Sequence, residues 1–373
     1  MSQRLFREKI SRNLAAQGLV IPYRHDLIER KLIKAMGIDR YGEYADICKQ
    51  RHIGDPSFKL RSLYSFFSTR KEAHLLFSHQ SETMVECFAW MAENLLSFVD
   101  ETKKVAEVGC ATGLLCGALC KMSEFYGVAF SGFDREENFI KMARDAGNPI
   151  EYITWDYSCE AAPLNGFDVV MANLAIDFNS SVRRYQEIGI SSLRGVGAYN
   201  ALKAECTRAL DNWRKLSKDR GVLLTTLRLP GLVEFLALAD AASEAGWLID
   251  LDRLEWIEAD GDRIPAMVFH AGEPCTLEES ELASAWLADS ISIGKGGVYE
   301  NDVACSLYRL LAPKEIIKQA KQDYLDGNVM ISEVARCGHY ALLFAEATTG
   351  FSRLEFHPIH KLERLEPRFV WED

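Results

Sequence analysis

The sequence predicts an α/β fold built on an open, mostly parallel sheet, and three observations predict it. The short run Val105 to Val108 turns through the small residues Gly109, Cys110, Ala111 and Gly113 into a helix-like run, Leu114 to Met122. Short apolar runs then alternate with helical periodicity to about residue 273, the order of successive βαβ units. Two further strand signals close that stretch, joined by the turn Asp260-Gly261-Asp262.

The elements follow in chain order. Residues 1–80 form a helical N-terminal segment, with periodicity in Leu5 to Leu19 and in His25 to Met36. A looser aromatic stretch follows, with Phe58, Tyr64, Phe66, Phe67 and Phe77. Ser78-His79-Gln80-Ser81-Glu82 has the capping residue and early acid of a helix entrance, so Ser81 to Val99 is a helix. The strand into Gly109 comes next. A second strand, Phe130 to Asp134, precedes the amphipathic helix Glu136 to Asp145, and a third, Ile150 to Trp155, runs into Asp156-Tyr157. The fourth, Phe167 to Leu174, is a short apolar run of the kind buried on both faces. A long helical excursion, 180–219, exceeds what a crossover needs and belongs at the substrate-facing strand ends. The fifth strand, Gly221 to Leu229, stops at Pro230, and the helix Gly231 to Gly246 follows. The closing strand pair is Leu254 to Ala259 and Ala266 to Ala271. From about Pro274 the pattern predicts helices at 278–291, 302–311, 313–325 and 331–336. A hairpin then pairs Tyr340 to Glu346 with Phe351 to His357.

The turn after the first strand brings bare backbone N–H groups close to a ligand, because Gly109, Ala111 and Gly113 have little side chain to hold it off. A dinucleotide site wants G-x-G-x-x-G/A. Here the corresponding positions are Gly109, Ala111 and Leu114, so the third small residue is missing. The pattern Glu107-x-Gly109-x-Ala111-x-Gly113 instead resembles the first motif of Rossmann-like (class I) S-adenosylmethionine-dependent methyltransferases. Ala111 stands where that family usually has Gly. The order of elements from Lys104 to Glu273, about 170 of 373 residues, is similar to the seven-stranded sheet of that family, whose last strand inserts antiparallel.

The resemblance implies a cofactor, S-adenosyl-L-methionine, and a set of contacts. Gly109, Cys110, Ala111 and Gly113 pass under its methionine part, and Glu107 orders that loop. Asp134, 21 residues after Gly113, accepts from the ribose hydroxyls; its alternative role is an N-cap. Asp156 accepts from the adenine amino group, and Trp155 or Tyr157 packs on the ring or serves as an ordinary core aromatic. Asn173 lies at the end of the fourth strand, and Gln80 and His79 lie in the segment that covers the cofactor or merely caps a helix.

Composition bounds the class. Apolar residues make up 48% of the chain, enough for a sizeable core, and no run of 18 apolar residues occurs. The N-terminus lacks an apolar signal segment, and the ten cysteines include no C-x-x-C pair. A cytoplasmic location with free thiols is therefore expected. Cys116 and Cys120 have helical spacing but no second ligand pair, and His25, His52, His74 and His79 match no metal motif, so no metal is expected. Residues 1–79 carry 15 Lys and Arg against 8 Asp and Glu, leaving −18 for the rest of a chain whose net charge is −11. This acidic body without a basic aromatic stripe argues against nucleic acid, a winged-helix reading of the C-terminal region included, and no membrane partner is expected.

The resemblance therefore implies a methyltransferase, and the extra segments point to a small-molecule acceptor, an amino acid derivative or specialised metabolite, modified at N or O. Two alternatives stay open: a sulfonium also reacts at its aminocarboxypropyl carbon, and a non-catalytic relative could bind the cofactor alone. Asp177, beyond the fourth strand, is the first candidate to orient or deprotonate the acceptor, or else an N-cap. His79 is a weaker catalytic candidate, with Tyr64, Tyr185 and Arg228. Residues 1–80 are a candidate lid, 81–273 the cofactor domain, and 274–373 a packing appendage that allows a homodimer.

Overall fold

The computed structural model describes residues 3–52, 64–100, 103–176, 197–229, 232–260, 262–278, 281–282, 285–286, 298–300, 304–305, 308–309, 311, 314–324, 327–337 and 340–367. They fall into two compact units. The first lies within Met1–Asp177, Arg208–Arg228 and Ala245–Glu273, the second within Phe178–Thr207, Leu229–Glu244 and Pro274–Asp373.

The first unit is organised by a sheet in the order β3-β2-β1-β4-β5-β8-β6. Its parallel strands are β1 (Lys104–Val108), β2 (Ala129–Asp134), β3 (Glu151–Thr154), β4 (Phe167–Asn173) and β5 (Ser217–Thr226). Strand β8 (Asp262–Ala271) runs antiparallel between β5 and β6 (Trp247–Ile249), and β7 (Glu255–Ala259) folds back on β8 as a hairpin. This is the expected Rossmann-like methyltransferase sheet. One detail is corrected: the outermost strand is Trp247–Ile249, three residues too short to show a pattern, whereas the expected strand 254–259 is the hairpin partner. The strand into the turn buries Val105, Ala106, Glu107 and Val108 in succession, as a strand covered on both faces must.

One face of the sheet carries Val105, Val169, Met171, Val222, Leu224 and Val268, in one core with Phe6, Ile10 and Leu14 of α1 (Gln3–Ala16). Helix α1 reaches that core because its apolar residues recur every fourth position. α2 (His25–Met36) does the same with Ile28, Leu32 and Met36, and α3 (Ile38–His52) contributes Tyr44. These pack with Ala73 and Leu75 of α4 (Arg70–Phe77) and with Phe139 and Met142 of α7 (Glu137–Arg144). Between them in chain order lie α5 (Ser81–Leu95) and α6 (Leu114–Leu119), both in the sheet-face core. α8 (Gly197–Leu216) is the described part of the excursion after β4.

The second unit includes α9 (Leu232–Glu244) and a five-stranded antiparallel sheet in the order β10-β11-β12-β13-β9. Its strands are β9 (Val298–Glu300), β10 (Glu315–Asp323), β11 (Val329–Cys337), β12 (Tyr340–Ala347) and β13 (Ser352–Pro358). The expected hairpin is β12–β13. The helices expected at 313–325 and 331–336 are strands instead, so the α-rich appendage is corrected to a sheet. Along β11, Met330, Ser332 and Val334 are buried while Ile331 and Glu333 are not, a period of two that helix-favouring Lys, Gln and Ala in β10 obscured. The helices expected at 278–291 and 302–311 lie largely outside the described residues.

Candidate functional site

The loop after β1 is left-handed at three alternate positions, with φ of +70° at Gly109, +46° at Ala111 and +71° at Gly113. Glycine adopts these angles freely, and Ala111 takes one at a modest cost. The glycines also meet close neighbours. A Cβ on Gly109 would lie 2.9 Å from the Ala175 methyl, and one on Gly113 would lie 2.3 Å from the Tyr152 hydroxyl oxygen. Tyr152 thus occupies the slot left by Gly113 and Gly132, whose own Cβ would fall 2.6 Å from the same ring.

Two buried carboxylates hold the loop. Glu107 Oε2 accepts from the Cys116 backbone N–H at 3.0 Å, tying the end of β1 to the first turn of α6. Burial raises the Glu107 pKa to about 7, with Asp134 adding to the rise and Cys116 opposing it. Asp134, at the carboxyl end of β2, is 8% exposed. Its Oδ2 accepts from Ala111 N–H at 2.8 Å and its Oδ1 from Glu136 N–H at 2.9 Å. Burial raises it to about 6 against the pull of those two N–H groups. Glu107, Gly109, Ala111, Gly113 and Asp134 therefore meet in one constellation.

The other expected residues divide. Cys110 turns its side chain inward among Ile140, Ala143 and Tyr152, so only its backbone is left for a ligand. Asp156 accepts from Ser158 N–H at 3.0 Å and from the Ser158 hydroxyl. Partial burial raises its pKa, but these bonds outweigh it and the carboxyl is held below its ordinary value. Tyr157 donates its hydroxyl to the Ala175 carbonyl and packs edge-on against Trp155 and Trp213. Burial pushes its phenol up. Trp155 is a core residue against Phe133. Asn173 Oδ1 accepts from the Thr226 hydroxyl at 2.7 Å, joining the ends of β4 and β5. The following Leu174 is left-handed at φ +51°. Asp177 and Tyr185 lie outside the described residues.

Beside these strand ends is a cavity of about 550 Å³. Leu174 and Ile176 line it after β4 and Arg228 after β5, while α2, α3, Tyr64, the end of α4 and the turn before α5 supply the rest. His79 and Gln80 both line it, and Gln80 Oε1 accepts from Arg228 at 3.4 Å. His79 stacks loosely in a ring cluster with Tyr23 and His25, at centroid distances of 5.6 and 6.2 Å, and Tyr23 bonds His25 Nδ1 at 3.1 Å. Burial, then the neighbouring His25, lowers the His79 pKa. By contrast His74 is structural. It is buried between the Gln17 carbonyl (2.7 Å) and the Thr112 hydroxyl (3.0 Å), and burial drives it down to about 4.

His25, Glu29, Tyr41 and Tyr44 were not singled out as site residues from sequence. Their signal was present: His25, Glu29 and Leu32 recur at i, i+4 and i+7 on α2, and Tyr41, Tyr44 and Cys48 at i, i+3 and i+7 on α3. Among the described residues no group of three His, Cys, Asp or Glu side chains could hold a metal ion, and no helix is long and apolar enough to cross a membrane.

No protein-family model matches the chain, and no curated protein does. Solved structures are similar in fold. The pyocyanin biosynthetic protein PhzM is 15% identical, with 65% of this chain and 72% of that one covered at a TM-score of 0.39. Magnesium protoporphyrin IX methyltransferase from Synechocystis PCC 6803, with bound SAH, is 12% identical, covering 51% of this chain and 87% of that one at 0.33. A 16S rRNA (adenine(1408)-N(1))-methyltransferase mutant from Catenulisporales acidiphilia is 12% identical, covering 50% and 92% at 0.34.

Proposed function

We propose that this chain is an S-adenosylmethionine-dependent methyltransferase that modifies a small molecule at nitrogen or oxygen. The observation that carries the reading is the cavity of about 550 Å³ at the ends of β4 and β5. Its size suits a compact acceptor, and open α/β sheets take their ligands at the carboxyl ends of their strands.

The residues present fit the cofactor. Each carboxylate oxygen of Asp134 accepts one backbone N–H, which leaves lone pairs for the two hydroxyls of a ribose. Gly109 and Gly113 present no side chain to a ligand, and Asp156 lies just beyond β3, in line with an adenine contact. When bound, the cofactor supplies an already activated methyl group. The chain's own part is positioning and proton handling. Glu107 fixes the loop through Cys116, the apolar lining of Leu32, Leu76 and Ile176 limits water, and His79, a half-buried imidazole held towards its neutral form, is placed to take a proton from the acceptor.

Calorimetric titration tests the reading. S-adenosylmethionine should bind and NADH should not. Asp134→Ala should weaken that binding by about 1–3 kcal/mol, since two ribose hydroxyls lose their acceptor. Equal affinity in the variant would remove the ribose assignment, and absence of binding to the parent would remove the proposal. Adenosylhomocysteine formed only with an acceptor supports methyl transfer; methylthioadenosine formed without one supports the aminocarboxypropyl alternative.

A further inference from the structure

Among the described residues that line the cavity the one carboxylate is Glu29, on the face of α2 that also presents His25 and Leu32. It accepts from the Tyr41 hydroxyl, at 3.0 Å to Oε1, and no Lys or Arg among the described residues pairs with it. Burial, then the bond to Glu29, raises the Tyr41 phenol, as expected of a group that stays protonated to donate. A carboxylate offers about four acceptor positions, so one neutral donor leaves most of its capacity to water or a ligand. An ammonium group would fill those positions with charge-assisted hydrogen bonds, stronger than those of water or a neutral donor.

The surroundings suit a cation. Tyr41 and Tyr44 lie with ring centroids 5.9 Å apart, and Tyr64 and Phe77 each approach Phe139, at 5.4 and 5.7 Å, so aromatic rings continue around the lining. Aromatic rings attract cations through their quadrupole, most strongly where water is excluded. Arg228, on the β5 side, donates to Gln80, and Glu29 is the acidic group described on the α2 side of the cavity.

We infer that the acceptor is a small amine, held as its ammonium cation by Glu29 within the aromatic lining of Tyr41, Tyr44, Tyr64 and Phe77. The inference rests on the cavity being the acceptor site of the proposed transferase, but the binding it describes needs neither cofactor nor turnover.

The test uses the full chain without cofactor and three probes of one shape: phenethylamine, 2-phenylethanol and 3-phenylpropionate, each titrated by calorimetry. The amine should bind at least about tenfold tighter than the alcohol, the range of one charge-assisted hydrogen bond, and the acid should bind weakest. Glu29→Gln should abolish the preference for the amine and leave the affinity for the alcohol unchanged. Equal or tighter binding of the alcohol or the acid overturns the inference, as does a preference that survives Glu29→Gln or an absence of binding by all three. The comparison in the unaltered protein decides the matter even if the variant fails to fold. The two readings fail separately: S-adenosylmethionine binding without amine preference leaves the transferase standing, and amine preference without S-adenosylmethionine binding leaves only the amine site.

Discussion

Gly113→Ala probes the cofactor loop by a mechanism whose size the structure sets. Gly113 sits at φ +71°, a conformation that costs an L-residue with a Cβ about 1–2 kcal/mol. The new methyl would also lie 2.3, 2.6 and 2.8 Å from Oη, Cζ and Cε1 of Tyr152, a side chain 3% exposed and wedged between Gly113 and Gly132. Forcing extra volume into such a site costs roughly 1–3 kcal/mol more. The substitution should therefore lower unfolding free energy by about 2–5 kcal/mol, measured by urea denaturation with circular dichroism. Tyr152→Leu removes all three opposing atoms. In that background Gly113→Ala should cost only the conformational part, about 1–2 kcal/mol, so a double-mutant cycle isolates the overlap. A cost below about 1 kcal/mol in the parent, or the same cost in both backgrounds, refutes the argument.

Two further outcomes concern the buried acids. Glu107 has a folded pKa of about 7 against 4.5 for the free group, so its effect on stability is fully favourable below pH 4.5 and is lost as pH rises through 7. Glu107→Gln should accordingly gain on the order of 1–3 kcal/mol over the parent at pH 8 and nothing below pH 4.5, by denaturation across pH; a gain at acid pH would contradict the sign. Asp134, near 6, must be ionised to accept two ribose hydroxyls, so S-adenosylmethionine affinity should fall about tenfold per unit below pH 6. Asp134→Asn should flatten that dependence in calorimetry at pH 5 and pH 8, and an unchanged slope assigns the proton to another group.

The sheet and the loop were legible because their signals are local. Glu107, Gly109 and Gly113 stand within seven residues, and Asp134 ends the next apolar run. What escaped depends on distant partners. β10 and β11 take their conformation from pairing with each other, Gln319 opposite Glu333 and Lys321 opposite Ile331, which overrides a composition that suits helices. The cavity wall escaped for a different reason. His25 and Glu29 look like the solvent face of an amphipathic helix, and only the approach of α3 and the end of β4 makes that face the wall of a cavity. Trp155 and Tyr157 could not be told apart from sequence, since both follow β3; the structure separates a buried core indole from a phenol bonded to Ala175.

The position of β8 has a consequence for biosynthesis. Its ten residues, Asp262–Ala271, bond to β5 on one side and β6 on the other, yet leave the ribosome after both. Until they emerge, Val222 to Thr226 present unsatisfied amides and carbonyls along an apolar rim, which is an invitation to mispair with another nascent chain. Translation of the roughly 45 residues after Thr226 takes seconds at ordinary elongation rates. Over that interval the half-made molecule is at its most vulnerable to aggregation, and closure of the rim by one late hairpin ends the exposure.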